Sequence, residues 1–305
     1  MAELSNEFSW SKSRDELFRE CRRKYYYDKY GAWGGWDRKA DERVRALYIL
    51  KRLKSRHMWM GEVVHWAVEG ILADLRAGKA AKSGEVTSRI TARMRKDFRV
   101  SRDRLYLKDP KRNCGLYEHE YDVPLDNDAW FGLHEKAKAC ALHLLESKIL
   151  AEIGKIPPEK WLTLEGLLDM RFEGEKIFLK MDFASRDGGG ILIVDWKTGE
   201  RTDVDATVQL GCYGLYAVEE WGALPEQVTT VEYNLSGRSE TRNRLIPANL
   251  DWIKHYMRSS IASMKSILVD PARNKAVEDD FPFTDNELTC KWCNFRKRCL
   301  KFTSS

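Results

Sequence analysis

The chain has 305 residues, of which 43% are hydrophobic and 32% are charged. This composition is typical of a globular protein with a sizeable core, and it argues against a disordered chain. No apolar run approaches the roughly 18 residues of a membrane-spanning helix, and the first residues lack the basic and apolar segments of a signal peptide. We therefore expect a cytoplasmic protein with no membrane partner.

The net charge of +5 is modest, but the basic residues are clustered at residues 14–24, 38–56 and 89–112. Such clusters fit a surface that binds phosphate groups, although a solvated helix face gives the same pattern. Aromatic residues are interleaved with the first basic stretch: Tyr25, Tyr26, Tyr27, Tyr30, Trp33 and Trp36. They are candidates either for stacking on unpaired bases or for the core.

The region before residue 154 is predicted to be mainly helical. Residues 61–75 carry apolar side chains at helical spacing, and the basic segment 88–98 is a weaker helix candidate. Gly154 and the pair Pro157-Pro158 interrupt this pattern, and we place a boundary there.

Beyond that boundary the sequence changes to short β-rich runs. The predicted order is strands at 161–172, 176–185 and 191–196, a helix at 204–220, strands at 228–235 and 241–246, and a helix at 250–268. This order predicts an α/β fold in which helices pack on a mixed sheet. We divide the chain into a helical region 1–154, a core 155–270 and a cysteine-rich tail 271–305.

The strongest chemical signal is an apolar strand that ends in Asp195-Trp196-Lys197 and runs into Gly199. Strand alternation puts Asp195 and Lys197 on the same side. A second acid, Asp182, lies among apolar residues on the preceding strand, and adjacent strands can bring both carboxylates to one point. Two carboxylates beside a lysine suit Mg²⁺ or Mn²⁺ and phosphodiester hydrolysis, whereas an isolated Asp-x-Lys is more often a surface ion pair.

Two further elements frame this motif. Gly61 and His65 lie four residues apart on the first predicted helix, and Gln209 and Tyr213 lie four apart on the helix after the motif. In this order, the elements resemble the RecB-like nucleases of the PD-(D/E)xK superfamily, with a match that runs from His65 to Tyr213. The usual glycine before the first acid is absent, since Phe178-Leu-Lys-Met precedes Asp182.

The resemblance implies a restriction-endonuclease-like core at residues 155–270 and a role for each motif residue. His65, Asp182, Asp195 and the Trp196 carbonyl would bind the metal, Lys197 would be catalytic, and Gln209 and Tyr213 would organise the site or hold DNA. Glu165 on the first strand matches an acid often found upstream in the family. It is a candidate ligand or supporting residue, and alternatively a surface charge on an edge strand.

The cysteines form a second pattern. Cys290, Cys293 and Cys299 lie near the C-terminus and Cys21 near the N-terminus, whereas Cys114, Cys140 and Cys212 have no partners at ligand spacing. Four thiolates in a reducing compartment predict a Zn²⁺ or an iron–sulfur site, and the spacing alone does not separate the two. RecB-like nucleases that include CRISPR-associated exonucleases and helicase–nuclease subunits share this spacing, which implies a 4Fe-4S cluster that joins the two ends of the chain.

We therefore expect a metal-dependent DNA exonuclease that acts on single strands or DNA ends. The alternatives are a non-catalytic DNA-binding scaffold of a repair or defence complex and a site-specific endonuclease with the same core. The sequence has no Gly-x4-Gly-Lys-Ser/Thr loop, so ATP-driven unwinding would need a partner such as a helicase or another repair, CRISPR or phage protein.

Overall fold

The computed structural model describes residues 5–199 and 203–303. The strands of this part of the chain form one five-stranded mixed sheet in the order β1-β2-β3-β4-β5. They are β1 (Trp161–Phe172), β2 (Glu175–Asp187), β3 (Gly190–Lys197), β4 (Val228–Asn234) and β5 (Ser239–Arg244). Strands β3 and β4 are parallel, whereas the other neighbours are antiparallel.

Helices precede the sheet in the chain and then alternate with its strands. Before the sheet lie α1 (Lys12–Glu20), α2 (Arg22–Tyr26), α3 (Glu42–Lys51), α4 (Arg56–Arg76), α5 (Ser83–Arg102), α6 (Tyr117–Glu120), α7 (Asn127–Leu145) and α8 (Lys148–Ile153). After β3 lie α9 (Asp203–Glu219), α10 (Pro247–Ser266), α11 (Glu287–Lys291) and α12 (Leu300–Thr303). Within residues 5–199 and 203–303, no helix is long and apolar enough to cross a membrane.

The predicted α/β architecture is confirmed, with small shifts at element ends. The basic segment 88–98 is part of the longer helix α5, and the predicted helix 250–268 starts earlier, at Pro247. Proline is well suited to the first turn of a helix because its missing N–H has no partner there. The last predicted strand ends at Arg244, two residues before the expected end.

The sheet separates two apolar cores. Alternate residues of β3 serve both, since Ile191 and Ile193 pack with α9 and α10, whereas Leu192 and Val194 pack with α4, α5 and α7. Both faces of β3 are therefore buried, as expected for a strand that is covered by helices on both sides. The Asp-x-Lys motif lies at the end of this buried strand, at the edge of both cores.

The N-terminal segment is tied to the sheet rather than to the helical region alone. Trp10 forms a parallel bridge with Ile177, at the part of β2 that extends beyond β3. Its indole donates a hydrogen bond of 2.8 Å to Ser260 on α10, and Asp15 on α1 accepts a hydrogen bond of 2.6 Å from Tyr256. These contacts bring α1 beside the end of the sheet where the motif residues lie.

Candidate active site

Three acids come together because of the strand register. Leu164 pairs with Phe183 and Gly166 with Met181, so Glu165 lies opposite Asp182. Phe183 pairs with Val194, so the next step of the same antiparallel register places Asp182 opposite Asp195. Directly opposite residues project on the same side of a sheet, and the three carboxylates therefore meet at one end of β1, β2 and β3.

Glu165 takes an unusual backbone conformation at this point. Its φ is +49°, in the left-handed region that non-glycine residues rarely adopt. The side chain is 7% exposed and contacts His65 Nδ1 at 3.3 Å and Lys180 Nζ at 2.7 Å. Glu165 thus faces the other acids and is not a surface charge. Strained backbone of this kind is often found at functional sites.

His65 on α4 completes a compact group with two of these acids. One ligand atom each from His65, Glu165 and Asp182 lies within 4.8 Å of the others. Burial favours the neutral imidazole, but Asp182 and Glu165 outweigh it and raise the pKa of His65 to about 10. A cation that binds His65 must therefore displace a proton, as metals generally do at histidine ligands. Imidazole and carboxylate donors at this spacing fit a divalent cation.

Asp182 and Asp195 are both buried, at 5% and 2% exposure. The backbone N–H of Trp196 donates a hydrogen bond of 2.8 Å to Asp182. Burial and the nearby Asp182 carboxylate raise the pKa of Asp195 to about 7. Such a pair of buried acids is costly unless positive charge compensates it, and the neighbouring Lys197 supplies part of that charge.

Lys197 is held by two partners. Its Nζ forms an ion pair with Asp195 Oδ2 at 2.5 Å, and it donates a hydrogen bond of 2.8 Å to Gln209 Oε1. Gln209 Nε2 in turn donates to Tyr213 Oη at 2.7 Å, and the Tyr213 hydroxyl donates to the backbone carbonyl of Lys180 on β2. The Gln-x-x-x-Tyr pair of α9 therefore fixes the lysine relative to the strand that carries Asp182.

All the predicted site residues line one cleft of about 760 Å³, here called the active-site cleft: His65, Glu165, Asp182, Asp195, Trp196, Lys197, Gln209 and Tyr213. Gly61 lets α4 approach this cleft closely, since a Cβ at that position would lie 3.2 Å from Thr198 Oγ1. The Gly-x-x-x-His spacing thus places the glycine at the closest approach of α4 to the motif strand and His65 one turn later, beside the acids.

Other lining residues were missed in the sequence. Lys180, which pairs with Glu165, is two residues from Asp182, and alternation along β2 would have placed it in the site. Trp10, Ser11, Lys12 and Ser13 also line the cleft. Nothing in the sequence pattern indicated them, because they reach the cleft through the long-range bridge between Trp10 and β2.

The four predicted cluster cysteines line a single small cavity, here called the cysteine cavity: Cys21, Cys290, Cys293 and Cys299. Burial raises the pKa of Cys293 to about 11 and also raises the pKa of Cys299. The structure thus brings the N-terminal cysteine together with the three of the tail, across almost the whole length of the chain. Of the remaining cysteines, Cys140 and Cys212 are buried and Cys114 is partly buried.

The tail is also held by contacts that do not involve sulfur. The buried Arg23 guanidinium donates to the Phe281 carbonyl at 2.7 Å and to Glu278 at 3.0 Å. Tyr121 donates to the Asn294 carbonyl at 2.9 Å. The two ends of the chain are therefore joined by hydrogen bonds and ion pairs around the cysteine cavity.

The aromatic residues of the N-terminal segment divide into two groups. Tyr25 and Tyr27 are buried, at 2% and 1% exposure, and Tyr25 stacks on Phe281 of the tail. Trp33 and Trp36 are 39% and 44% exposed. The tyrosines nearest Cys21 thus belong largely to the core, which was one of the two alternatives, whereas the tryptophans remain accessible.

Comparison with known families gives a match over most of the chain. The family model described as the PD-(D/E)XK nuclease superfamily covers residues 9–300. The chain belongs to the PD-(D/E)XK nuclease superfamily. Members of this superfamily are metal-dependent nucleases that use Mg²⁺ or Mn²⁺ and have a restriction-endonuclease-like fold.

Other comparisons add little to this family assignment. The chain has no match among curated proteins. It is similar to the solved structure "Crystal structure of SSO0001", with 20% sequence identity, 60% of this chain and 78% of that chain covered, and a TM-score of 0.30. The PD-(D/E)XK family match includes Cys21 and the three cysteines of the tail, as well as every residue of the active-site cleft that the motifs indicated.

Proposed function

We propose that the chain is a DNA exonuclease of the RecB-like branch, which hydrolyses phosphodiester bonds of single strands or DNA ends. The observation that carries the proposal is the convergence of three carboxylates, His65 and a positioned Lys197 in one cleft. A non-catalytic scaffold would have no use for this complete set. We keep the division into residues 1–154, 155–270 and 271–305 as the proposed organisation of the chain.

The proposed metal ligands are His65, Asp182, Asp195 and the Trp196 carbonyl, with Glu165 as a further ligand or a supporting residue. Hard oxygen donors together with one imidazole suit Mg²⁺ or Mn²⁺. When bound, such an ion would supply positive charge that stabilises the developing negative charge on the phosphate. Without the ion, protonated His65 and Lys197 partly balance the charge of the same carboxylates; the ion would replace the proton of His65.

Lys197 is the proposed catalytic group. An ammonium has three N–H donors, of which Gln209 takes one and the Asp195 ion pair occupies a second. The third is available to a water or a phosphate oxygen in the cleft. Gln209 and Tyr213 are positioning residues, because they hold Lys197 through a chain of hydrogen bonds to the backbone of β2 and touch no reacting atom.

The proposed occupant of the cysteine cavity is a 4Fe-4S cluster. The four cysteines line one cavity, and four thiolates suit either a zinc ion or an iron–sulfur cluster. The Cys-x2-Cys-x5-Cys spacing of the tail together with one upstream cysteine resembles that of the RecB-like iron–sulfur nucleases, and this resemblance supports the cluster.

The preference for ends and single strands is tested with three substrates at equal nucleotide concentration: linear single-stranded, linear duplex and circular single-stranded DNA. With Mn²⁺ we expect fastest loss of the linear single strand and no cleavage in EDTA. Degradation of the circle at the same rate as the linear strand would exclude dependence on ends. Faster loss of duplex would exclude the single-strand preference.

A further inference from the structure

A second groove of about 570 Å³ adjoins the active-site cleft. His57 and Met58, at the start of α4, line both cavities, so the groove begins where the cleft ends. It runs between the N-terminal helices and the tail, and its far wall includes Trp292, which lies between Cys290 and Cys293. Its volume falls within the range of about 300–1,000 Å³ that is typical of ligand sites.

The groove offers positive charge and one accessible aromatic face. Lys24, Lys51 and Arg56 line it. Lys24 pairs with Glu20 and Lys51 with Asp28. Among the described residues, the Arg56 guanidinium forms a hydrogen bond with the neighbouring His57, with Nε at 3.2 Å from Nε2, and no described carboxylate pairs with it. Arg56 is thus the residue of the groove best placed to bind a phosphate.

The position of Arg56 is fixed although its guanidinium has no acidic partner. Both carboxylate oxygens of the buried Glu118 accept a hydrogen bond from the Arg56 backbone N–H at 3.0 Å. An acid at this position satisfies a free N–H group and complements the positive end of α4. The backbone is held by Glu118, and the guanidinium is left to face the groove.

Trp292 is the aromatic residue of the groove with the most accessible ring. It is 49% exposed, although it contacts Tyr117 at a ring distance of 5.7 Å and Lys291 at 5.7 Å. Trp66 in the active-site cleft is less suitable, because it is only partly exposed and the guanidinium groups of Arg89 and Arg93 lie over its ring. A base can therefore stack on Trp292 more readily than on Trp66.

We propose that this groove binds an unpaired DNA strand that continues from the active-site cleft, with Trp292 stacking on a base and Arg56 binding a phosphate. The inference rests on the proposed nuclease function and names the path of its substrate. Three observations support it: the continuity of the two cavities through His57 and Met58, the unpaired guanidinium, and the exposed indole. Stacking needs a free base face, so the groove selects single strands over duplex.

Binding is measured separately from cleavage, in a Lys197→Ala background with Mg²⁺, by fluorescence anisotropy of a labelled 20-nucleotide oligo-dT and a duplex of equal length. Trp292→Ala should weaken single-strand binding about 5- to 150-fold, the range expected for loss of one stacked base. Trp292→Phe should restore most of it. Trp252→Ala is the matched control, since Trp252 is 44% exposed and lines neither cavity.

Arg56→Gln tests the phosphate contact. It should weaken binding to all sequences and lower the slope of log affinity against log salt by about one. If Trp292→Ala binds the single strand within two-fold of its parent, or if it weakens duplex binding equally, the groove is not the strand path. Absence of single-strand binding by the parent would also overturn the inference.

Cleavage assays use protein that retains Lys197. They distinguish failure of this inference from failure of the proposed function. With oligonucleotides of increasing length, Trp292→Ala should raise KM only for those long enough to reach the groove, and kcat should stay unchanged. An equal effect at every length would contradict a strand path and indicate a structural role. If the unaltered protein cleaves no DNA, the proposed function fails, while the binding measurement still tests the groove.

Discussion

The active-site cleft and the cysteine cavity both join distant parts of the chain, but different forces hold them. In the cleft, strand register aligns the acids and a chain of hydrogen bonds fixes Lys197 through Gln209 and Tyr213. In the cysteine cavity the sulfurs make weak contacts with nearby backbone, such as the 3.4 Å contact between Cys21 Sγ and Lys24 N–H. The cleft is arranged by the protein itself, whereas the cavity gains most from a bound group.

Substitutions at the two sites should therefore have different effects. Removing a charged group from the cleft should abolish cleavage and leave the fold intact. Burying these acids costs free energy, so they are not a source of stability. Removing a cysteine of the cysteine cavity should lower the stability of the protein and affect cleavage only indirectly. The hydrogen bonds of Arg23 and Tyr121 to the tail keep the two ends in contact even without a cluster.

The largest expected effect is loss of cleavage in Lys197→Ala and Asp195→Ala. Both residues act on water, metal or phosphate, so turnover with Mg²⁺ or Mn²⁺ should fall at least about 100-fold. The fold and the visible absorbance should be retained in both variants, but Lys197→Ala leaves the buried Asp195 carboxylate without its partner and should lower the melting temperature. Lys176→Ala is the control, since Lys176 lies on β2 outside the cleft and pairs with Asp169. Cleavage by either variant within a few-fold of the unaltered protein would refute the site.

A large effect on stability is expected at the cysteine cavity. The purified protein should be brown, with about four irons per chain, and serine at Cys21, Cys290, Cys293 or Cys299 should remove the colour. Opening a cross-link over so long a loop should cost several kcal/mol and lower the melting temperature by roughly 5–15 °C.

Cys114→Ser is the control for these variants, because Cys114 lies outside the cavity. This substitution should leave the colour and the melting temperature unchanged. A colourless protein that contains one zinc per chain would show that the four cysteines bind a metal but would exclude the cluster. Iron analysis and thermal unfolding distinguish these outcomes.

A smaller effect is expected for the positioning pair. Gln209→Ala removes the hydrogen bond that orients Lys197, and kcat should fall at least about 10-fold because a hydrogen bond to a charged group is worth roughly 1.5–3 kcal/mol. Substrate binding should be largely unaffected, so KM should change little. Gln209→Glu retains an acceptor for the ammonium and should keep more activity than Gln209→Ala. An unchanged kcat in Gln209→Ala would show that Lys197 does not need this support.

The smallest effect is expected at the contact between α4 and the motif strand. Gly61→Ala places a Cβ 3.2 Å from Thr198 Oγ1, which should shift α4 slightly and reduce kcat a few-fold. Gly132→Ala on α7 is the matched control, because no atom lies within 4 Å of its Cβ position. That control should gain up to about 1 kcal/mol of stability from better helix propensity and keep full activity.

The sequence was sufficient to predict the strands and the Asp-x-Lys site because both depend on local patterns. Alternation placed Asp195 and Lys197 on one side of β3, and the apolar residues around Asp182 marked it as a buried acid. The register that sets Asp182 opposite Asp195 follows from the short hairpin between β2 and β3, so the convergence was foreseeable.

Other features depend on backbone detail or long-range contacts that no local pattern contains. The left-handed backbone conformation of Glu165 directs its carboxylate into the site. Strand alternation alone was equally consistent with a position of this acid at the surface. The bridge from Trp10 to β2 joins residues more than 160 positions apart. The burial of Tyr25 depends on Phe281 in the tail, and composition alone left it open to stack on bases.

The most direct test of the central claim measures Mn²⁺ binding and cleavage on the same samples. Isothermal titration of Mn²⁺ into the unaltered protein, Asp182→Asn and Asp195→Asn is paired with initial rates on a linear single strand. We predict that the unaltered protein binds Mn²⁺, that its rate rises with occupancy, and that both variants lose binding and cleavage together. Unchanged Mn²⁺ affinity in both variants, or cleavage by the unaltered protein in EDTA, would contradict a metal-dependent nuclease centred on these acids.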